Sequence, residues 1–227
     1  MSTAGPLPQP AGRRFFDMSG QSHELRLPLD LAAVRALKVG DLVSLSGDIT
    51  ISIGLPTHQR MVQELAAGKA LPVDLHGGAF FHLSAYLRDA EKTGDLPSAL
   101  YMNPSTSTRY NNSMPALIRG LGLRLVGGKG GLDMASVAAM QEAGCAYLSF
   151  LGGGCTPLSE AIDCVVSSHW NEYISQFRLT TVRVNKLGPA TVAIDAHGNS
   201  VYQQLHEQAH GRLPGILARL KIQRQTP

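Results

Sequence analysis

The sequence predicts an α/β protein in which some of the strands pair in parallel. An apolar run at residues 123–126 leads into Gly127-Gly128-Lys129-Gly130-Gly131 and then into a helical pattern over 134–143. A second apolar run at 145–151 ends in Gly152-Gly153-Gly154, and a helical pattern follows from about 157 to 162. Strand, glycine loop and helix repeated in succession are what crossover connections in an α/β fold require. Residues 43–49 add a half-buried strand, because apolar side chains there alternate with small or polar ones.

Along the chain, residues 1–24 carry Gly5, Pro6, Pro8, Pro10 and Gly12 with little periodicity, which predicts an extension anchored only by Phe15 and Phe16. Residues 25–29 alternate like a strand, 31–37 suit a short helix, and Lys38-Val39-Gly40-Asp41 turns the chain. Thr57 is the expected cap of a helix over 58–67 that stops before Gly68. A short buried strand is expected at 79–83, a polar loop at 88–98 and a helix at 115–119. Residues 180–184 and 191–194, joined through Gly188-Pro189, read as a strand pair followed by a turn at 195–199. The tail over 201–222 is helical in pattern, with Gly211 and Pro214 dividing it in two.

Composition limits the partners. Of 227 residues 44% are apolar and only 16% charged, a low-charge exterior that suits cover by another chain. The net charge of +3 is small and the basic residues are scattered, which argues against nucleic acid. No apolar run has the length of a membrane span and the N-terminus lacks a signal-peptide core, so a cytoplasmic protein is expected. Cys145, Cys155 and Cys164 form no C-x-x-C pair; their spacing favours buried apolar thiols over a self-contained iron-sulfur cluster.

The chemistry gathers between residues 103 and 131. Asn103-Pro104-Ser105-Thr106-Ser107-Thr108-Arg109 offers four hydroxyls and a guanidinium, with Arg109 on the face of Ser105 if the turn is helical. One element later, a glycine-rich turn carrying Lys129 allows backbone amides to approach an anion. Together the two loops read as a receptor for a small carboxylate or phosphate. A nucleotide P-loop, G-x-G-x-x-G and G-x-S-x-G are all absent. His76, His82, His169 and His197 lack the spacing of ligands to one metal and read as structural, and Trp170 reads as a core or interface anchor.

The order of Gly47-Asp48-Ile49, His58-Gln59-Arg60, Leu71-Pro72-Val73-Asp74-Leu75, the 103–109 loop, the 127–131 loop, Gly152-Gly153, Gly188-Pro189 and Ile194-Asp195-Ala196-His197-Gly198-Asn199 resembles one family. It is that of the β subunit, or C-terminal domain, of class I fumarases and L(+)-tartrate dehydratases, and the resemblance covers roughly residues 25–202. It implies a swivelling three-layer β/β/α domain with a mixed sheet, between the extension at 1–24 and a helical tail at 203–227. It also implies a hydro-lyase acting on a 2-hydroxy (di)carboxylic acid such as malate or tartrate. A partner α subunit then holds a [4Fe-4S] cluster through three cysteines, in an α2β2 heterotetramer. By position Ser105 takes a catalytic place held in the family by threonine, Arg109 and Lys129 bind substrate carboxylate, and Thr106, Ser107, Gly128, His58 and Arg60 belong to the substrate-binding motifs.

One departure bears on the substrate. Before His58 the family carries an arginine that binds substrate; here residues 51–57 read Ile-Ser-Ile-Gly-Leu-Pro-Thr and hold no cation. Either Arg60 or a partner residue replaces it, or Ile53 and Leu55 suit a larger or less charged 2-hydroxy acid. Two other classes remain open on sequence alone: a carboxylate-binding module without a cluster partner, and an assembly subunit using the extension and the tail.

Overall fold

The computed structural model describes residues 20–89 and 95–225. Most of the N-terminal extension, with Phe15 and Phe16, and residues 90–94 of the polar loop lie outside the described residues. In chain order the elements are β1 (Ser22–Arg26), α1 (Leu31–Ala36), β2 (Leu42–Ile51), α2 (Leu55–Ala66), β3 (Ala79–Phe81), β4 (Leu83–Arg88) and β5 (Ser98–Pro104). A 3-10 turn (Ser107–Tyr110) leads to α3 (Met114–Leu121), β6 (Leu125–Gly128), α4 (Met134–Ala143), β7 (Ala146–Ser149), α5 (Cys155–Glu160), β8 (Ile162–His169), β9 (Leu179–Ile194) and α6 (Val201–Gln225).

The main sheet is mixed and runs β1-β2-β3-β6-β7-β9-β8, with β9 also pairing β2. Strands β2, β3, β6 and β7 are parallel neighbours, as the repeated glycine loops predict, and β9 runs antiparallel to both β2 and β7. Those five strands therefore close into a ring, with β1 and β8 attached to it.

Alternation along the short strands divides the core in two. Phe81, Leu125 and Leu148 pack with β4, β5, α1 and α5 side chains such as Leu83, Met102, Val34 and Leu158. Their neighbours Phe80, Val126 and Tyr147 face Met61 of α2, Leu117 and Ile118 of α3 and Met140 of α4. The α2–α4 helices thus cover one face of the sheet. The β4–β5 pair shares the other core, where Met102 N donates to Ser159 Oγ of α5 at 3.0 Å.

Several elements differ from expectation. β1 occupies 22–26 rather than 25–29, because Pro28 has no N–H to extend the ladder with β2. Thr57 caps nothing: α2 begins at Leu55 after Gly54, with Pro56 in its first turn, and the Thr57 hydroxyl donates to the Phe177 carbonyl. Strands β4, β5 and β8 were not expected. The strand pair expected at 180–184 and 191–194 is one 16-residue strand, β9. Register shifts in the facing part of β2, between Val43 and Gly47, absorb the irregularity at Gly188-Pro189. Helix α6 is likewise continuous through Gly211 and Pro214. It is exposed there, so water can satisfy the carbonyl that Pro214 leaves without an amide.

Candidate functional site

The four parallel strands end together, at Ile51, Phe81, Gly128 and Ser149, and in α/β sheets the space beyond the carboxyl ends of strands is where ligands bind. The hydroxyl loop crosses this end and is sewn into it by backbone bonds. Ser105 N donates to His82 O at 2.8 Å, Lys129 N to Ser105 O at 2.9 Å, and Ser107 N to Lys129 O at 2.8 Å. Thr106 consequently bridges Lys129 in parallel, so the two loops singled out by sequence lie side by side.

Their closeness depends on Gly128. A Cβ there would overlap Ser107 Oγ and lie 2.9 Å from the Ser105 carbonyl oxygen and 3.1 Å from His82 Cβ. Gly131 has a left-handed φ of +78°, and the Tyr202 ring occupies the place of its missing side chain. The glycine loop is not an open amide cradle, however. The Lys129 amide is used by Ser105, and the Gly131 amide donates to the Tyr147 hydroxyl at 3.3 Å.

What the loops present outward is charge. Arg109 is exposed and donates from Nη1 to Ser105 Oγ at 3.5 Å, the i, i+4 pairing expected of a helical turn. Lys129 is half-buried, and its Nζ donates to Pro104 O, one residue before Ser105, at 2.6 Å. Among the described residues neither cation has a carboxylate partner. Ser105 itself is 8% exposed, so its hydroxyl sits at the base of a cationic surface.

Below lies a layer of buried rings. His82 Nδ1 meets Ser107 Oγ at 2.8 Å, and Ser107 Oγ meets the Tyr147 hydroxyl at 2.8 Å. Ser107 is fully buried in this chain, which makes it a support of the loop rather than part of its open face. His58 is also fully buried; its Nδ1 donates to Gly54 O at 2.7 Å and its ring stacks on Tyr110. Burial lowers the His58 pKa to about 4 and holds His82 well below the usual histidine range, with the neighbouring His58 adding to the effect on His82. Both are therefore neutral at pH 7. Burial pushes the Tyr147 phenol upward, and the nearby Tyr202 adds to the rise.

Arg60 is not brought to this surface. Its guanidinium donates to Glu64 at 3.0 Å and to Glu172 at 2.7 Å, and it lies 4.4 Å from the Trp170 ring centre. Trp170 is accordingly an anchor, 9% exposed beneath that cation. The cysteines do not converge either: Cys145 is buried with its thiol pKa raised, Cys155 is half-buried on α5, and Cys164 is exposed on β8. Among the described residues no group of three or more His, Cys, Asp and Glu can hold a metal ion, so this chain's own thiols do not fit an iron-sulfur cluster. Sequence reasoning missed Tyr110, Tyr147 and Tyr202 and gave His82 no connection to the site; a tyrosine directly after Arg109 was the one local signal.

Comparison with known proteins gives the chain its relatives. A family model described as Fumarase C-terminus matches residues 7–205, ending within the first turns of α6. The chain is 27% identical over 185 residues to a putative L(+)-tartrate dehydratase subunit beta of Methanocaldococcus jannaschii, covering 81% of this chain and 93% of that protein. It is 28% identical over 177 residues to the L(+)-tartrate dehydratase subunit beta of Escherichia coli, covering 78% and 85%. A putative fumarate hydratase class I of Geobacillus stearothermophilus is 27% identical over 190 residues, which cover 83% of this chain and 35% of that longer protein.

Proposed function

This chain belongs to the fumarase C-terminus family, and from that premise we propose that it is the β-type subunit of a hydro-lyase that reversibly removes water from a small 2-hydroxy carboxylic acid. The observation that carries the reading is the placing of two cations on the Ser105 loop, Arg109 at the Ser105 hydroxyl and Lys129 at the carbonyl of the preceding Pro104, neither with a carboxylate partner among the described residues. Relatives named as tartrate dehydratase subunit beta and fumarate hydratase support the reaction class, and their subunit naming supports a partner. In this reading the partner is an α subunit that holds the [4Fe-4S] cluster, the assembly is α2β2 and cytoplasmic, and the domain is of the swivelling three-layer β/β/α type.

Each residue has a task that follows from its chemistry. Removing a proton from the carbon beside a carboxylate builds negative charge on that carboxylate. Arg109 and Lys129 bind it and stabilise it most where the charge is greatest, in the transition state. Ser105 Oγ faces the proton being moved, and Arg109 favours the form of that oxygen able to accept it. Thr106 and Gly128 hold the loops in register, the first through its bridge to Lys129 and the second through its lack of a side chain.

The far end of the substrate meets a different surface. Ile53, in the connection after β2, is half-buried, and Leu55, the first residue of α2, is 49% exposed, in the stretch where the resemblance has its missing arginine. Arg60, engaged with Glu64, Glu172 and Trp170, does not replace it. This supports a 2-hydroxy acid larger or less charged than malate or tartrate at that end.

The test is anaerobic purification of the chain with whatever co-elutes, followed by a panel of 2-hydroxy acids assayed by the ultraviolet absorbance of the unsaturated or keto product. A brown complex that turns over one of them, is inactivated by Ser105→Ala and retains activity with Ser105→Thr is the expected outcome. A colourless chain that elutes alone and turns over none of the panel overturns the reading in favour of a carboxylate-binding module.

A further inference from the structure

Helix α6 runs on to Gln225, past residue 205 where the family match ends. The residues just beyond that point are His206-Glu207-Gln208-Ala209-His210, an H-E-x-x-H spacing that sequence reasoning passed over. Residues four apart on a helix share a face, so the two imidazoles meet: their centroids lie 4.3 Å apart with the planes at 62°. Both residues are exposed, and among the described residues neither ring takes part in a hydrogen bond or ion pair. Two such rings, free to turn about χ2, can each bring a nitrogen to the roughly 2.0–2.1 Å that zinc takes from histidine.

We propose that His206 and His210 form a surface site for a divalent transition metal ion of the zinc, copper and nickel class. Imidazole nitrogen suits those ions, whereas magnesium and calcium require oxygen ligands that the pair does not offer. The same spacing serves zinc proteases, but their chemistry does not follow here. A catalytic zinc has three protein ligands, and among the described residues no third His, Cys, Asp or Glu joins the pair. Glu207, which would be the general base of that motif, accepts instead from Gln203 Nε2 at 2.9 Å. The ion is therefore bound with its remaining positions open to water, and its effect is on the helix. Pro214 has no N–H for the carbonyl of His210, and Gly211 adds backbone freedom beside it. An ion shared by residues 206 and 210 clamps the turn that leads into this weak stretch. The site is independent of the hydro-lyase reading.

The test is isothermal titration of zinc chloride into the untagged full chain, with far-ultraviolet circular dichroism recorded on the same samples. One ion per chain should bind at the tightest site and the helical signal should rise, while magnesium chloride should give no binding heat. His206→Ala and His210→Ala should each weaken zinc binding by more than the roughly 10–100-fold that follows loss of an outer-shell partner. Glu207→Gln should leave it unchanged. All three positions are exposed, so the variants should keep the parent melting temperature and stay interpretable. Zinc bound equally well by both alanine variants, or not bound by the parent chain, would overturn the inference.

Discussion

The ammonium of Lys129 lies 2.6 Å from the carbonyl oxygen of Pro104, the residue before Ser105. A cation from the end of β6 is thereby fixed beside a hydroxyl carried by a loop that enters from β5. The lysine is held without being neutralised, since a carbonyl oxygen carries only a partial charge. That condition allows one side chain both to fasten a loop and to attract an anion, and it sets the first expectation for single substitutions.

Arg109→Ala and Lys129→Ala should each lower kcat/KM by about 10² or more in the assembled enzyme. Arg109 is exposed, so its loss should change stability by no more than about 0.5 kcal/mol; Lys129→Ala should cost slightly more through Pro104. Steady-state kinetics beside thermal melts decide it. Activity lost only in proportion to folded protein would remove both from the binding role.

Arg60→Ala should behave in the opposite way. Its contacts to Glu64, Glu172 and Trp170 are stabilising and partly exposed, so about 1 kcal/mol of stability should be lost with turnover unchanged. A raised KM at full stability would restore Arg60 as a substrate ligand.

Gly128→Ala tests the seam between the two loops. The added methyl has to displace Ser107, Ser105 or His82, and overpacking of this kind costs roughly 1–3 kcal/mol. Because those neighbours carry the site, activity measured per folded molecule should fall as well. Retained activity at normal stability would show that the loops tolerate separation.

Stability should decline in mild acid. His58 has a pKa of about 4 in the folded chain and His82 is also well below its usual value, whereas in the unfolded chain both titrate near 6.5. Between those values the unfolded state binds more protons, so stability rises with pH and is lost as pH falls from about 6.5 toward 4. His58 alone accounts for on the order of 3 kcal/mol. Urea midpoints across this range should show the slope, and His58→Phe should reduce it by about one proton. A flat profile above pH 4.5 would mean that the rings are hydrated in solution.

Local patterns explain what was legible in the sequence. The α4 helix over Met134–Ala143 coincides with its expected range because Asp133 caps it, its side chain accepting from Ser136 N, and Gly144 ends it in the left-handed region. The partnership of the hydroxyl and glycine loops was legible because each has a dense, unusual composition. The ring layer beneath them was not, since His82, Ser107 and Tyr147 are 25 and 40 residues apart and meet only through the sheet. β4 and β5 escaped notice for a different reason: Leu83, Ala85 and Leu87 of β4 do face the core in alternation, but Tyr86 and Tyr101, stacked across the pair at 5.8 Å, put aromatic rings on the exposed face as well and blur the pattern. Arg60 misled because its sequence neighbour His58 does lie under the site, while two positions farther along a helix point another way.

Closure of the five-stranded ring by β9 also sets a timetable. The hydroxyls of Thr50 on β2 and Thr181 on β9 meet at 3.1 Å across 131 residues of chain. A ribosome making 5–20 residues per second needs on the order of ten seconds to synthesise that interval. Throughout it the newly made β2 has a bare edge, the kind of template to which other unfinished chains adhere. The fold is therefore sealed only once β9 has been made, and chains cut short before Leu179 should aggregate rather than persist as soluble fragments.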